Sequence, residues 1–282
     1  MEDIVEKIKQ ISLEMKYGTN GVLKEVLLRR AVSPLISIIY QLRESPQLVN
    51  KLLMLFESDS NFLVVMMLSA RFDVFLEALK RINISGRLEC VIAPNMYSIK
   101  WLPRILHRND IKVFYPYLKV GVHNTLRLFS NLNNAILIQD YNPLNTTSSC
   151  GINKYILAHG LPKRSIVIYA QPHFPWLSDI ELSLLLYRYV AIHEIVPGDI
   201  VNDALKKLRI PRNRMLRAYY LDMIFSLKRI KELIEYAKTH YDFDKIIVTG
   251  IHGELFGEFG FYFHKDFLVP QLVVVPWYEI MT

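Results

Sequence analysis

The sequence predicts an α/β fold: a mostly parallel sheet sandwiched by helices, with a helical N-terminal extension. From about Asn61 onward, short β-branched apolar runs alternate with segments of helical periodicity, the pattern of strands connected by helices. Most of these runs are continuously apolar, which indicates strands covered on both faces. Residues 1–57 show helical periodicity without such a run, so we predict an extension over 1–57 and one α/β domain over 58–282.

The composition supports a folded domain. Of 282 residues, 51% are hydrophobic and 22% are charged, which excludes a disordered chain. The longest apolar runs are far below the roughly 20 residues of a membrane span, and the acidic N-terminus is unlike a secretory signal. Cys90 and Cys150 are too few for a disulfide framework. We therefore expect a cytoplasmic protein with no transmembrane segment.

The net charge of +7 is weak evidence for a nucleic-acid partner, and none is predicted. The positive charge is concentrated in one short stretch, which contains Lys206, Lys207, Arg209, Arg212, Arg214 and Arg217. A solvated helix end is the favoured interpretation of this stretch, and an anion-binding or lipid-headgroup surface is the alternative.

The elements follow in order along the chain. The helices before residue 57 have no strand in front of them, so we expect them to pack outside the sheet or to extend toward a protein partner. Strands are predicted at 62–68, 88–93, 111–114, 135–139, 165–169, 245–249 and 272–275, and helices at 71–80, 99–107, 124–130, 153–159 and within 178–240. Ser178 and Glu181 fit a capping box, so a helix should begin at Ser178.

Candidate functional residues lie just past the carboxyl ends of predicted strands. Ser69, Ser98, His173 and His252 each occupy such a position, and an open parallel sheet gathers its ligands along that edge. The strand at 245–249 leads into a glycine-rich loop in which His252, Glu254, Glu258 and His264 are interleaved. We therefore expect these side chains to project into, or lie beside, one crevice.

This loop also carries a resemblance. Thr249-Gly-Ile-His-Gly-Glu254, Gly257-Glu-Phe-Gly260, His264 and Val275-Pro-Trp277 resemble, in order and spacing, the C-terminal signature of the sulfatase and alkaline-phosphatase superfamily. Three weaker matches extend the resemblance from about Asn61 to Glu279. The run from Phe62 to Asp73 is similar to the family's first strand, Asn95-Met-Tyr-Ser-Ile-Lys-Trp-Leu102 to the nucleophile loop of its compact archaeal-type branch, and Gln171-Pro-His-Phe-Pro175 to its Pro-His-x-Pro segment.

The resemblance implies a hydrolase or transferase of phosphate or sulfate esters. It places Ser98 at the nucleophile position, with His173, His252 and His264 as metal ligands and Gln171 and Glu254 lining the site. Ser69 and Ile251 stand where the family has acidic metal ligands, and neither offers a carboxylate. At most one weakly held divalent ion, zinc or manganese, is therefore expected, and no ion is the favoured alternative. Neither cysteine lies in a Cys-x-Pro-x-Arg motif, which excludes a formylglycine sulfatase.

Two functions follow from these residues. The first is a pseudoenzyme-like ester hydrolase with an impaired site that accepts an anionic small molecule or ester. The alternative is a non-catalytic binding or assembly module on the same fold. Structural roles also remain open: His252 as a buried histidine bonded to a carbonyl, Glu254 and Glu258 as acceptors of backbone N–H groups, and Ser98 as a helix cap.

Overall fold

A computed structural model describes residues 47–94, 98–120, 123–124, 129, 132–140, 142–190, 204–205, 207–258, 262–263 and 269–281. The predicted helices before residue 47 and most of the predicted helix at 124–130 lie outside these ranges. No helix within the ranges is both long enough and apolar enough to span a membrane.

The described elements alternate between strand and helix for most of the chain. In order they are α1 (Gln47–Glu57), β1 (Phe62–Met67), α2 (Phe72–Leu79), β2 (Gly86–Ile92), α3 (Ser98–Leu106), β3 (Lys112–Pro116), β4 (Lys119–Val120), β5 (His123–Asn124), β6 (Ala135–Ile138), α4 (Ser149–His159), β7 (Arg164–Tyr169), α5 (Ile180–Val190), α6 (Arg212–His240), β8 (Lys245–Gly250), β9 (Leu255–Phe256), β10 (Tyr262–Phe263), α7 (Pro270–Val273) and β11 (Val274–Ile280).

A seven-stranded sheet forms the centre of the molecule, with strand order β2–β11–β8–β1–β7–β3–β6. Neighbouring strands from β8 to β6 pair in parallel, whereas β11 is antiparallel to both β8 and β2. Two small antiparallel ribbons, β4–β5 and β9–β10, lie apart from it. The mixed α/β fold with a mostly parallel sheet is therefore confirmed.

The continuous apolar run of β1 is explained by its position between β7 and β8. All six of its residues are buried. Helix α1 packs on the same core, because Leu48, Leu52 and Phe56 are at most 1% exposed and the Phe56 ring stacks on Phe62 at 5.7 Å between centroids. The described part of the predicted extension thus packs on the sheet, while the boundary at residue 57 stays a prediction.

Two of the differences between the predicted and the observed elements have a clear physical reason. The strand expected at 272–275 begins at Val274, because the residues before it form the short helix α7, with Pro270 at the first helical turn. Proline is preorganised for that position, and Leu272 is buried as completely in a helical turn as it would be in a strand.

The helix expected to begin at Ser178 begins at Ile180 instead. Asp179 caps it, since Oδ1 of Asp179 accepts the Leu182 N–H at 3.0 Å. The capping box is wrong because its two side chains bind α6: the Ser178 hydroxyl donates to the Ala218 carbonyl, and Glu181 pairs with Arg214 at 2.8 Å.

Candidate functional site

Three neighbouring strands bring the candidate residues together. Ser69 follows β1, His173 follows β7 and His252 follows β8, and these strands are adjacent at the centre of the sheet. The imidazole rings of His173 and His252 are 6.2 Å apart and nearly perpendicular. Both rings interact electrostatically with Glu254. The structure therefore places Ser69, His173, His252 and Glu254 in one cluster at the carboxyl edge.

Ser69 and Glu254 are hydrogen-bonded within this cluster. The Ser69 hydroxyl donates to Oε2 of Glu254 at 2.9 Å, and both residues are buried. Ser69 has a φ of 58°, a left-handed backbone conformation uncommon for a residue with a side chain. Burial raises the pKa of Glu254, although His173, His252, the bond from Ser69 and the charge of Arg71 act in the opposite direction. Glu254 is thus protonated more readily than an exposed glutamate.

Each histidine is oriented by the carbonyl of the residue that follows it. Nδ1 of His252 lies 2.8 Å from the Gly253 carbonyl oxygen, and Nδ1 of His173 contacts the Phe174 carbonyl oxygen. Because a carbonyl only accepts, Nδ1 of both rings carries the proton, and in the neutral ring Nε2 carries the lone pair. The orientation is that of a buried histidine bonded to a carbonyl, and it also sets Nε2 as the nitrogen for proton exchange.

Ile251 and Gly253 fix the start of the glycine-rich loop. The Ile251 N–H donates to the Met67 carbonyl at 2.9 Å, and the Gly253 N–H donates to the Leu272 carbonyl at 2.7 Å. A Cβ on Gly253 would stand 1.8 Å from the Gln271 carbonyl oxygen, so only glycine fits. Ile251 is fully buried, and an apolar side chain therefore occupies the position next to the end of β1.

Arg71 is a buried charged residue beside this cluster that the sequence pattern did not indicate. Its guanidinium, 8% exposed, makes two bonds to Asp73, at 3.0 and 2.6 Å, and one to Glu258 at 2.7 Å. Burial alone would lower the pKa of Arg71, but the Asp73 and Glu258 carboxylates raise it by more. The available signal was one arginine directly after an apolar strand, with an acidic residue two positions on.

The structure describes the remaining predicted residues only in part. Glu258 accepts the Phe256 N–H, which confirms its structural role as an acceptor. Gln171 is buried after β7, where its Oε1 accepts from both the N–H and the hydroxyl of Ser149 at 3.0 Å. Ser98 is the first residue of α3, beyond β2, and its side chain and the whole of His264 lie outside the described residues.

The described residues do not fit the metal ion that the resemblance implies. Among them, no group of three or more His, Cys, Asp or Glu side chains is arranged to hold an ion. At the two positions where acidic ligands are implied, Ile251 offers no lone pair and the Ser69 hydroxyl donates its proton to Glu254. A neutral hydroxyl and an alkyl group lack the charge that draws a divalent ion out of water.

Comparisons with known proteins agree with this fold. The sequence matches no protein-family model and no curated protein. Among solved structures, BT4656 in complex with its substrate D-glucosamine-2-N,6-O-disulfate is similar with a TM-score of 0.50 and 13% identity, over 79% of this chain and 71% of that one. The zinc complex of the C-terminal periplasmic domain of EcEptC from Escherichia coli has a TM-score of 0.48 and 11% identity, over 80% and 74%.

The soluble domain of lipooligosaccharide phosphoethanolamine transferase A from Neisseria meningitidis has a TM-score of 0.44 and 13% identity, over 79% of this chain and 78% of that one. At such identities the similarity concerns only the fold, and the fold assignment is based on the match to BT4656. The resemblance first seen around His252 is confirmed at that level: the chain has the α/β fold of the sulfatase and alkaline-phosphatase superfamily.

Proposed function

We propose that this chain binds an anionic phosphate or sulfate ester at the carboxyl edge of its sheet, in a site whose capacity for hydrolysis is impaired. One observation carries the proposal. Ser69 and Ile251 stand at the two positions where the resemblance implies charged ligands. The Ser69 hydroxyl is bonded to Glu254, and Ile251 is fully buried. The fold shared with BT4656, whose substrate is a sulfated sugar, supports the ester class.

The acid–base groups of the site support binding more than turnover. A serine hydroxyl such as that of Ser98 is a weak nucleophile unless a base or a cation acts on it. The cluster supplies two imidazoles and one carboxyl group, and a protonated Nε2 on His173 or His252 is a suitable donor to an ester oxygen. We therefore expect Ser98 to be nearly inert and any zinc or manganese to be held weakly, with a contribution from His264.

The basic stretch supports its favoured interpretation. Arg214 is engaged by Asp179 at 2.7 Å and by Glu181 at 2.8 Å, while Lys207 and Arg217 are exposed. A solvated helix end accounts for these three residues, so we assign the anionic ligand to the cluster of His173, His252 and Glu254 rather than to the basic stretch.

Hydrolysis assays test the proposal directly. The intact protein and Ser98→Ala would be compared on aryl phosphate and aryl sulfate esters, with added zinc or manganese and with a chelator. We expect rates near background and no difference between the two proteins. Metal-dependent turnover that disappears in Ser98→Ala would contradict the impaired site.

Binding is measured separately, by calorimetry with inorganic sulfate and phosphate. We expect His173→Ala to weaken binding by about tenfold, the effect of one charge-assisted hydrogen bond. His107→Ala is the control, because His107 is exposed at the end of α3. Equal binding by both variants would contradict the assignment of the anion site to this cluster.

The second candidate function is a non-catalytic binding or assembly module. The buried, uncharged side chains of Ser69 and Ile251 favour this function as well. A module that binds a partner through its surface does not require metal ligands at the carboxyl edge of the sheet. The N-terminal helices would be the surface for a protein partner. A folded protein that binds neither anion, and that loses a co-purifying partner when residues 1–46 are deleted, would favour the module.

A cytoplasmic location remains our proposal. The chain has only two cysteines, too few for a disulfide framework, and both Cys90 and Cys150 are partly accessible. Recovery of the protein from cells with both thiols oxidised, detected by differential alkylation, would count against this location.

A further inference from the structure

We infer that Arg71 is a positioning residue that joins the two loops at this edge of the sheet. Its guanidinium ties the segment after β1 to the loop after β8, and that loop carries His252 and Glu254. The inference rests on the proposed function for the identity of the site, but the link itself is a property of the folded chain.

The guanidinium contacts both segments through separate nitrogens. On the β1 side, Nε and Nη2 form a bidentate pair with Asp73 at 3.0 and 2.6 Å. On the β8 side, Nη1 donates to Glu258 at 2.7 Å and to the Glu254 carbonyl oxygen at 3.3 Å. The stem of Arg71 passes Gly253, where a Cβ would lie 3.2 Å from its Cγ. One side chain thus spans the space between the two loops.

Helix α6 also contacts the segment after β1, through the side chain of Tyr219. The Tyr219 hydroxyl accepts the Arg71 N–H at 3.0 Å and donates to the Ser69 carbonyl oxygen. Tyr219 is fully buried, and burial raises the pKa of its hydroxyl, so it remains a donor at neutral pH. The backbone on either side of Ala70 is therefore fixed to α6 at the point where the guanidinium leaves the chain.

The charges around the guanidinium favour this link. Arg71 is paired with one carboxylate on each loop, Asp73 after β1 and Glu258 after β8. Without the guanidinium, Glu258, whose side chain is only 20% exposed, would lose this cationic partner. Removing one member of a largely buried ion pair is strongly destabilising.

The planar fork of arginine is required for this arrangement. It provides five donors in a fixed geometry that matches carboxylates on two sides, whereas a lysine ammonium is a single point charge on a flexible stem. Replacing Arg71 by lysine should therefore keep the charge but lose part of the link.

Hydrogen exchange of the full-length protein tests the inference. The Phe256 amide donates to Glu258, and in Arg71→Met its protection from exchange should fall about tenfold or more. The protection of the β1 amides should fall by much less. Arg71→Lys should recover only part of that protection. The ring carbon resonances of His252, measured at one fixed pH, should shift in Arg71→Met. Arg87→Met is the matched control, because the Arg87 side chain is 68% exposed and pairs with Glu89 and Glu279 on the surface.

If Arg71→Met does not fold, Glu258→Gln decides, because it keeps an acceptor for Phe256 and the Asp73 pair while removing one charge. Selective loss of loop protection in Glu258→Gln supports the link. Protection within about twofold of the wild type, or an equal loss in Arg87→Met, would overturn it. Loss of loop protection in the unmodified protein on treatment with a chelator would show instead that an ion holds the loop. None of these results depends on ester binding, so they remain separate from a failure of the proposed function.

Discussion

The Ser69 hydroxyl and the Glu254 carboxylate are bonded at 2.9 Å although they are 185 positions apart in the chain. The bond connects the segments that follow β1 and β8, which are neighbours in the sheet. It also uses the hydroxyl that stands at one of the two implied ligand positions. The same contact therefore holds the two segments together and occupies a hydroxyl that a metal ion would otherwise need as a ligand.

Thermal unfolding should not depend on metal in the protein as it stands. An ion that binds only the folded state adds RT ln(1 + [L]/Kd), about 2.7 kcal/mol at a hundredfold excess over Kd, which a melting curve detects. We expect no rise in Tm with zinc or manganese after dialysis against a chelator. Stabilisation that disappears in His252→Ala would show a working ion site.

The double variant Ser69→Asp with Ile251→Asp should behave in the opposite way. Aspartate tolerates the left-handed backbone at position 69, but two added carboxylates beside Glu254 repel one another without a cation. We expect a lower Tm than wild type in chelator and recovery when zinc or manganese is added, read from melting curves. The single variant Ile251→Asp should be destabilised with little recovery. Equal Tm values with and without metal in the double variant would contradict the assigned ligand positions.

Stability should depend on the protonation of Asp222. Burial raises its pKa to about 6, although backbone N–H groups of Leu177 and Ser178, both at 2.8 Å, favour the ionised form. The unfolded value is about 3.9, so the stabilising contribution is complete below about pH 4 and is lost as the pH rises through 6. The difference corresponds to about 3 kcal/mol.

Asp222→Asn should therefore remove this dependence. We expect the free energy of unfolding, from urea titrations between about pH 4 and 7, to differ from wild type by an amount that changes across this range. Asp242→Asn is the control, because Asp242 is exposed. Parallel curves for wild type and Asp222→Asn would contradict the assignment.

Helix α1 should contribute to the stability of the sheet. Leu52 is fully buried, whereas Met54 on the same helix is 72% exposed. Leu52→Ala should cost about 2–5 kcal/mol of unfolding free energy, and Met54→Ala should cost less than about 0.5 kcal/mol. Both are read from urea denaturation. Equal small effects would mean that α1 is separable from the domain.

Gly253→Ala should be strongly destabilising. The added methyl group would meet the Gln271 carbonyl oxygen at 1.8 Å, and this contact is backbone, which cannot rotate away. We expect a loss of about 3 kcal/mol or more and weaker protection of the Gly253 amide from exchange. A variant with wild-type Tm would show that the loop can move without cost.

The sequence predicted the elements well where local pattern and tertiary environment agree. The apolar run of β1 predicted a doubly covered strand, and the strand is central. The pattern failed at Ser178, whose hydroxyl donates to Ala218, 40 positions away. It failed again at Leu272, where apolar character alone does not distinguish a short buried helix from a strand. Arg71 was missed because its partner Glu258 is 187 positions away.

By itself, the sequence determined the mostly parallel α/β fold, the uncharged residues Ser69 and Ile251 at the two implied ligand positions, and the location of Ser69, His173 and His252 after strands. These are local properties, since they depend on residue type and on a period of a few residues. Tertiary structure alone decided that β8, β1 and β7 are neighbours, that Ser69 bonds to Glu254, and that Arg71 joins two loops. Such contacts are decided by strand order and by the pairing of buried charges, which no local pattern encodes.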